Sequence, residues 1–257
     1  MQALVGRTQA ALLRAVDLLS TEFRIHSWDF LPYEAVLVIL CCVCSRLSQF
    51  DAAQMKRVRQ WFWRSAFSER YRVGGEGFVT RDLDAVTTFI TAGGDHTLFG
   101  DALSPVQISL TSFRSNNSRS RAFILALAAA KPRSLLSGAV IDTSEALSQF
   151  NKKQFHHIYP RAYLKRTGEP ADDNVLANIC MLTASENNTI SDSDPHTYIP
   201  ALTKARGHEV GAVFASNLMP SVADLDFSTA TYGQFTKHRS EILSAFIAEL
   251  CEGVAHR

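Results

Sequence analysis

Several features that would assign a protein to a special class are missing from this chain of 257 residues. Its five cysteines are an odd number, and three of them, Cys41, Cys42 and Cys44, lie inside one apolar run. That pattern is typical of buried, reduced thiols rather than of a disulfide framework, so we expect a cytoplasmic protein. Neither Cys180 nor Cys251 has a Cys-x-x-Cys partner, and a zinc site built from cysteine pairs is therefore not expected.

Long hydrophobic runs and an excess of one charge are also absent. The apolar run within residues 36–44 is too short to span a bilayer, and no basic start leads into an apolar signal segment. The formal net charge is +1, which leaves nucleic-acid binding open because a local basic surface is sufficient. These properties predict a globular protein without a membrane segment, large enough for one or two domains.

Apolar residues recur mostly at helical spacing, which predicts a predominantly α-helical chain. Short β-compatible pieces at residues 139–141 and 154–159 follow Gly138 and predict a small β-containing insert. The fold class expected is therefore α+β. The predicted helices are an amphipathic first helix with Leu4, Ala11, Leu12, Ala15, Val16 and Leu19 on it, one from Pro32 to about Leu47, and the segments Met55–Phe67, Arg81–Thr91, Ala122–Ala130 and Phe235–Leu250.

The most informative stretch contains two adjacent histidines followed by well-spaced asparagines: His156-His157, then Ile158-Tyr159-Pro160, then Asn178 and Asn187-Asn188. Phosphodiester hydrolysis needs a metal, a base that activates water and stabilisation of the leaving oxygen. Imidazole suits the base, and a second imidazole or an amide oxygen can hold the metal. Neighbouring residues of a strand face opposite sides, so both histidines serve one site only if the strand ends or bulges there, which Pro160 favours.

Each of these features also has a structural interpretation. A pair of histidines is most often incidental at a surface. Asn178 can cap a turn or start a helix, and Asn187-Asn188 suits a loop corner. Only their order and spacing together indicate a nuclease site.

In that order and spacing the stretch resembles the HNH, or ββα-metal, nuclease family. The elements that match its pattern are His156 to Pro160, Asn178-Ile179 and Asn187, with Ile190 three residues on. The continuation Pro195-His196-Thr197-Tyr198-Ile199 is similar to the branch of GmrSD-type restriction and anti-phage proteins. Leu31-Pro32-Tyr33-Glu34 and the aromatic segment 59–71 resemble the helical region that precedes the nuclease module in such proteins.

The resemblance implies a helical domain over residues 1–150, an HNH module over 151–199, and a C-terminal helical segment over 200–257 that packs on the rest. It also implies a divalent metal, Mg²⁺ or Mn²⁺ in function, with Ni²⁺ or Zn²⁺ able to occupy the site in vitro. The roles it implies are metal ligands at His156 and Asn187, the general base at His157 and a brace for the loop at Asn178, with Asn188 and Asn174 as alternates for the asparagine roles.

The partner expected is DNA. Basic residues flank the histidines and either contact phosphates or form an ordinary solvated face: Lys152, Lys153, Arg161, Lys165 and Arg166. Proteins of this branch usually begin with a ParB-like domain that this sequence does not resemble, so we expect that domain upstream of the chain or in a separate subunit.

Two interpretations of function remain open at this point. One is an active DNA endonuclease of a restriction or phage-defence system, and the other is a non-catalytic DNA-binding or assembly module that keeps the HNH fold. Two further basic or aromatic groups are ambiguous. Residues 61–63 are expected in the core rather than in a base-stacking platform, and Arg114, Arg119 and Arg121 either face DNA or serve the fold.

Overall fold

The computed structural model describes residues 2–72, 76–114, 116–147, 155–169 and 172–256. The chain is predominantly helical with one small two-stranded sheet, so the predicted α+β class is confirmed at that coarse level. The elements are α1 (Gln2–Phe23), α2 (Glu34–Arg46), α3 (Ala52–Phe67), α4 (Glu76–Ala92), α5 (Pro105–Leu110), α6 (Ser118–Ala129), α7 (Thr143–Ala146), β1 (Phe155–His157), α8 (Arg161–Thr167), β2 (Ile179–Met181), α9 (Ala184–Ile190), α10 (Pro195–Arg206), α11 (Val210–Ser216) and α12 (Tyr232–Cys251).

The chain divides by packing into two compact units. Unit 1 comprises Met1–Leu103, Asn116–Leu125 and Ile247–Arg257, and unit 2 comprises Ser104–Ser115 and Ala126–Phe246. Neither unit boundary coincides with the boundaries near residues 150 and 199 that the motif predicts. The division by motif into 1–150, 151–199 and 200–257 stays a prediction.

Unit 1 has an aromatic core centred on α3. Asp51 opens that helix with a capping box, in which its carboxylate accepts a hydrogen bond from the Gln54 N–H at 2.7 Å. This cap explains why the helix begins at Ala52, three residues before the predicted start at Met55. Residues 61–63 are at most 3% exposed, so their predicted place in the core is confirmed.

The apolar face predicted for α1 is only partly buried. Ala11, Ala15 and Leu19 are buried, whereas Leu4 and Val16 are 61% and 47% exposed. The buried residues repeat at intervals of four and form one narrow stripe of the helix, and α1 packs against α2. The amphipathic helix predicted at the N-terminus is therefore present, but fewer of its apolar residues are buried than the pattern predicts.

Unit 2 contains the two strands, which pair antiparallel with Phe155 opposite Met181 and His157 opposite Ile179. A hydrophobic core in the same unit includes the residue pair Tyr159 and Phe235, whose rings lie 4.8 Å apart. The strand predicted over residues 154–159 is thus confirmed in its centre but is shorter than expected. Because Tyr159 belongs to the core, the chain leaves the strand and turns inward directly after the two histidines.

None of the helices in the described part of the chain combines the length and the hydropathy that a bilayer crossing requires. All five cysteines are free thiols. Burial raises the pKa of Cys180 to about 12, so this thiol stays protonated inside unit 2.

Candidate active site

Both histidines lie at the end of β1. His157 is the last strand residue, Ile158 donates one more backbone hydrogen bond to the Asn178 carbonyl at 2.9 Å, and Pro160 then caps the start of α8. The prediction that the strand ends at this point is confirmed. Both imidazoles are half-buried and line the same cavity of about 410 Å³, so the end of the strand allows two adjacent side chains to serve one site.

Asn178 makes three hydrogen bonds between its side chain and the main chain, and it is fully buried. Its Oδ1 accepts the Tyr159 N–H at 2.8 Å, while its Nδ2 donates to the carbonyls of Tyr159 at 3.0 Å and Asp173 at 2.8 Å. The amide therefore ties the turn after the histidines to the loop before β2. This is the geometry expected of a residue that braces the loop.

His157 is held from one side by an asparagine. Its Nε2 lies 3.1 Å from Oδ1 of Asn174. Burial of the imidazole lowers the pKa of His157, an effect that outweighs the opposing hydrogen bond to Asn174. A histidine with a lowered pKa is neutral at physiological pH and can accept a proton, as a general base must.

The third element of the site is α9, whose start is fixed by the buried carboxylate of Glu186. This carboxylate accepts hydrogen bonds from the Thr183 N–H at 3.0 Å, from the Ser134 hydroxyl at 2.8 Å and from the Leu136 N–H at 3.1 Å. The Thr183–Glu186 pair is a capping box. The cap places the next residue, Asn187, on the first turns of the helix.

The cavity brings together the side chains that the motif predicts for metal binding. Its lining includes His156, His157, Asn187 and Asn188, together with Asp192. Asn187 is half-buried and Asn188 is exposed, and both reach the cavity, so either amide remains a candidate ligand beside His156. One imidazole and one amide oxygen form a mixed donor set that suits a divalent cation with several water ligands.

The described residues do not form a site rich in protein ligands. No group of three or more His, Cys, Asp or Glu side chains in the described residues is arranged to hold a metal ion. The predicted pair of His156 with an asparagine amide does not depend on such a group, because water and substrate oxygens complete the shell in a site of this kind.

The basic residues predicted to contact DNA fall into three groups. Lys152 and Lys153 lie outside the described residues. Lys165 is exposed on α8. The other two are paired with carboxylates, Arg161 with Asp173 at 2.9 Å and Arg166 with Asp192 at 3.2 Å. Both pairs lie at the surface, where a phosphate can replace the carboxylate at little cost.

Comparison of the chain with known protein families, with curated proteins and with solved structures gives no match. The chemistry of the site therefore has to be argued from its own residues. Of the residues that the motif selected, the described structure brings His156, His157, Asn187, Asn188 and Arg161 to one cavity in unit 2.

Some residues that hold the site were missed because nothing in their local sequence marks them. Arg239 is fully buried and donates to the carbonyls of Ala177 at 2.8 Å, Leu218 at 3.3 Å and Asn217 at 3.2 Å. Burial lowers the pKa of Arg239 to about 10, so it is still charged at neutral pH. It anchors the residue immediately before Asn178.

Tyr198 was noted only as part of a sequence pattern, but it also supports the site. Its hydroxyl donates to the Ile158 carbonyl at 2.6 Å, which fixes the residue that follows the two histidines. Burial raises the pKa of Tyr198, so the hydroxyl stays protonated and remains a donor. The Pro-x-x-Tyr pattern that ends at Tyr198, 40 residues after Ile158, is therefore the sequence signal for this contact.

Two of the three arginines of the second basic strip bind groups of the protein itself. Arg119 pairs with Glu69 at 3.1 Å and Arg121 donates to the Leu31 carbonyl at 3.0 Å, all within unit 1. These two arginines serve the fold of that unit.

Proposed function

We propose that this chain is a metal-dependent endonuclease of the HNH type that hydrolyses DNA phosphodiester bonds. The observation that carries the proposal is the cavity lined by His156, His157 and Asn187, with Asn178 bracing the loop behind it. β1, β2 and α9 occur in the order of a ββα-metal module, with α8 lying between the two strands in the chain. Assignment of residues 151–199 to that module is part of the proposal.

His157 is the general base. Its neutral imidazole takes a proton from a water molecule, which attacks the phosphorus in line and displaces the 3′ oxygen. The departing oxygen takes up a proton from solvent, and the imidazolium returns its proton to solvent. The products then carry 5′-phosphate and 3′-hydroxyl ends. The low pKa that burial gives to His157 favours the proton-accepting form at neutral pH. Asn178 contributes indirectly, because it holds the backbone on either side of the base.

His156 and Asn187 are the residues that would hold the metal, with Asn188 as the alternate. A bound Mg²⁺ or Mn²⁺ would neutralise charge on the scissile phosphate and stabilise the leaving oxygen. Because the protein supplies only two ligands, we expect weak binding in the absence of DNA. Ni²⁺ or Zn²⁺ is expected to occupy the same donors in vitro.

Arg161 and Lys165 would contact phosphates on either side of the cut. Arg161 lines the cavity and is 62% exposed as a side chain, so it can exchange its carboxylate partner for a phosphate. We place the activity in a restriction or phage-defence system. A ParB-like domain or a separate subunit would regulate the cleavage activity.

The test is a plasmid-nicking assay with Mg²⁺, Mn²⁺ or Ni²⁺, each run against EDTA. The wild-type chain should nick DNA only with metal, and His157→Ala should lose about 10²–10⁴-fold in rate, the usual contribution of general-base catalysis. His208→Ala, which removes an exposed imidazole elsewhere in unit 2, is the matched control and should cut normally.

The proposal fails if His157→Ala cuts at the wild-type rate under conditions where EDTA stops both proteins. A wild-type chain that binds DNA but does not cleave it with any of the three metals would instead indicate a non-catalytic DNA-binding module.

A further inference from the structure

Residues far upstream of the predicted nuclease module are part of its site. The segment Thr111–Phe113 follows α5 and pairs antiparallel with the loop before β2, through a bridge between Ser112 and Val175. The Phe113 N–H donates to the Asn174 carbonyl at 2.6 Å, and the Leu176 N–H donates to the Thr111 carbonyl at 2.9 Å. This loop thus has a neighbouring extended segment supplied from outside residues 151–199.

Side chains strengthen the same pairing. The Ser112 hydroxyl donates to Asp172 Oδ2 at 2.6 Å, and the other oxygen of that carboxylate accepts the Asn174 N–H at 2.9 Å. The Phe113 ring also lies 6.0 Å from the ring of Phe155, the first residue of β1. The upstream segment therefore contacts both the loop and the strand that carries the histidines.

The orientation of the Asn174 amide follows from one of these contacts. Its nitrogen lies 2.6 Å from the Phe113 carbonyl, which can only accept, so that end of the amide must be the NH₂ group. The end that faces His157 is consequently the oxygen, which can only accept as well. The imidazole nitrogen in contact with it, Nε2, must then carry the hydrogen.

We propose that the segment Thr111–Phe113 acts through Asn174 to fix the tautomer of His157 with hydrogen on Nε2. The unprotonated nitrogen is then Nδ1, and Nδ1 is the atom that receives the proton from water. Asn174 is in this sense a positioning residue. The catalytic consequence rests on the proposed function, whereas the tautomer does not.

The test is ¹⁵N NMR of the full chain labelled at histidine, recorded at about pH 8, above the usual imidazole pKa of about 6.5. Wild-type His157 should show hydrogen on Nε2. Asn174→Leu removes the acceptor and should give a mixture of tautomers, with a cutting rate about a hundredfold lower, the scale expected for a misplaced base, and unchanged DNA binding. Leu110→Ala, a change at an exposed side chain beside the segment, should alter none of these three measurements.

Asn174→Asp keeps an oxygen towards His157 but removes the donor to the Phe113 carbonyl. It should retain the Nε2–H tautomer, and it decides the matter if the leucine variant does not fold. Hydrogen on Nδ1 in the wild type, or loss of the Nε2–H form in the aspartate variant, would overturn the proposal. A wild type that shows the Nε2–H form but never cuts DNA supports the assignment of the tautomer and counts against the nuclease function alone.

Discussion

The two units differ in whether their buried charged side chains pair with one another. In unit 1 some buried arginines bind main-chain carbonyls, as Arg64 does, but others bind carboxylates. Asp82 is 1% exposed and accepts two hydrogen bonds from Arg70 at 2.6 and 2.9 Å, and Arg59 pairs with Glu22 at 2.9 Å. Such pairs join two helices, or join a helix to the end of another helix. They act on elements whose backbone is already hydrogen-bonded internally.

In unit 2 the buried polar side chains bind mainly to main-chain atoms. Asn178 binds only backbone atoms, Arg239 binds only carbonyls, and Glu186 accepts from two backbone N–H groups as well as from hydroxyls. Their partners lie in turns and loops, where the backbone has no regular partner of its own. Each buried side chain therefore fixes a stretch of irregular backbone.

This difference indicates what each kind of contact is for. An ion pair between helices contributes to the free energy of unfolding, whereas a side chain bound to a loop decides where the neighbouring residues are held. A catalytic group works only within a narrow range of positions. The irregular, heavily braced backbone around His157 is what a preorganised site requires, and the comparison predicts that mutations in the two units will separate stability from activity.

The largest effect is expected from Asp82→Ala in unit 1. The change leaves the Arg70 guanidinium without its carboxylate and should lower the free energy of unfolding by about 3 kcal/mol, the lower end for a broken buried pair, since the Arg70 side chain is still 22% exposed. Urea denaturation measures this loss. The folded fraction should cut DNA at the wild-type rate, and a proportionate loss of both would remove the distinction between the units.

Asn178→Ala in unit 2 should show the opposite balance. Three backbone groups lose their partner, which costs on the order of 1–3 kcal/mol, while the cutting rate should fall about a hundredfold because the loop no longer holds the base. Nicking assays on protein shown to be folded separate the two effects. A variant that melts far below the wild type but cuts normally when folded would make Asn178 a structural residue only.

The sequence was sufficient for features that depend on local chemistry. Helical spacing located α3 and α12, and Pro160 indicated where β1 ends, because a residue without an N–H cannot continue the pairing. The motif also selected His156, His157, Asn178 and Asn187, whose positions relative to one another depend on one short supersecondary unit. The brace formed by Asn178 follows directly from that unit.

Contacts over long sequence separations could not be predicted in this way. Arg239 reaches Ala177 across 62 residues, and Asn174 reaches Phe113 across 61. Nothing near either residue marks the partner, because a carbonyl group is present at every position and carries no sequence signal. The same reason explains why Asn174 could be named only as an alternate loop support, although it is the asparagine that contacts His157.

A smaller effect is expected when pH is lowered. Burial depresses the pKa of His157 below its ordinary value of about 6.5. Cutting should stay constant down to about pH 6.5 and fall by about tenfold per pH unit below the depressed pKa, as the base becomes protonated. A metal bound nearby would depress the pKa of His157 further, so the cutting rate would still fall as the pH is lowered.

The same depressed pKa affects stability. As pH falls below about 6.5, the unfolded chain takes up a proton before the folded chain does, so the stability that comes from a neutral, buried His157 is present above this pH and is lost below it. His157→Ala should lack this component in urea titrations across the same range. In the cutting assay at low pH, a higher metal concentration controls for loss of metal through protonation of His156. The role of His157 would be contradicted if the cutting rate stayed constant to well below about pH 5, which is more than about one unit below the ordinary histidine pKa of about 6.5.

The smallest effects are expected at the exposed ion pairs of unit 2, which join side chain to side chain as in unit 1 but lie in water. Arg161→Ala should change the free energy of unfolding by less than about 1 kcal/mol, because the pair with Asp173 is largely solvated. If Arg161 contacts a phosphate, the slope of log K for DNA binding against log salt should become shallower by about 0.9. Lys204→Ala, which removes an exposed cation on α10, is the matched control and should leave the slope unchanged. An unchanged slope for Arg161→Ala would mean that this arginine keeps its carboxylate partner when DNA is bound, and that it braces the Asp173 loop together with Asn178.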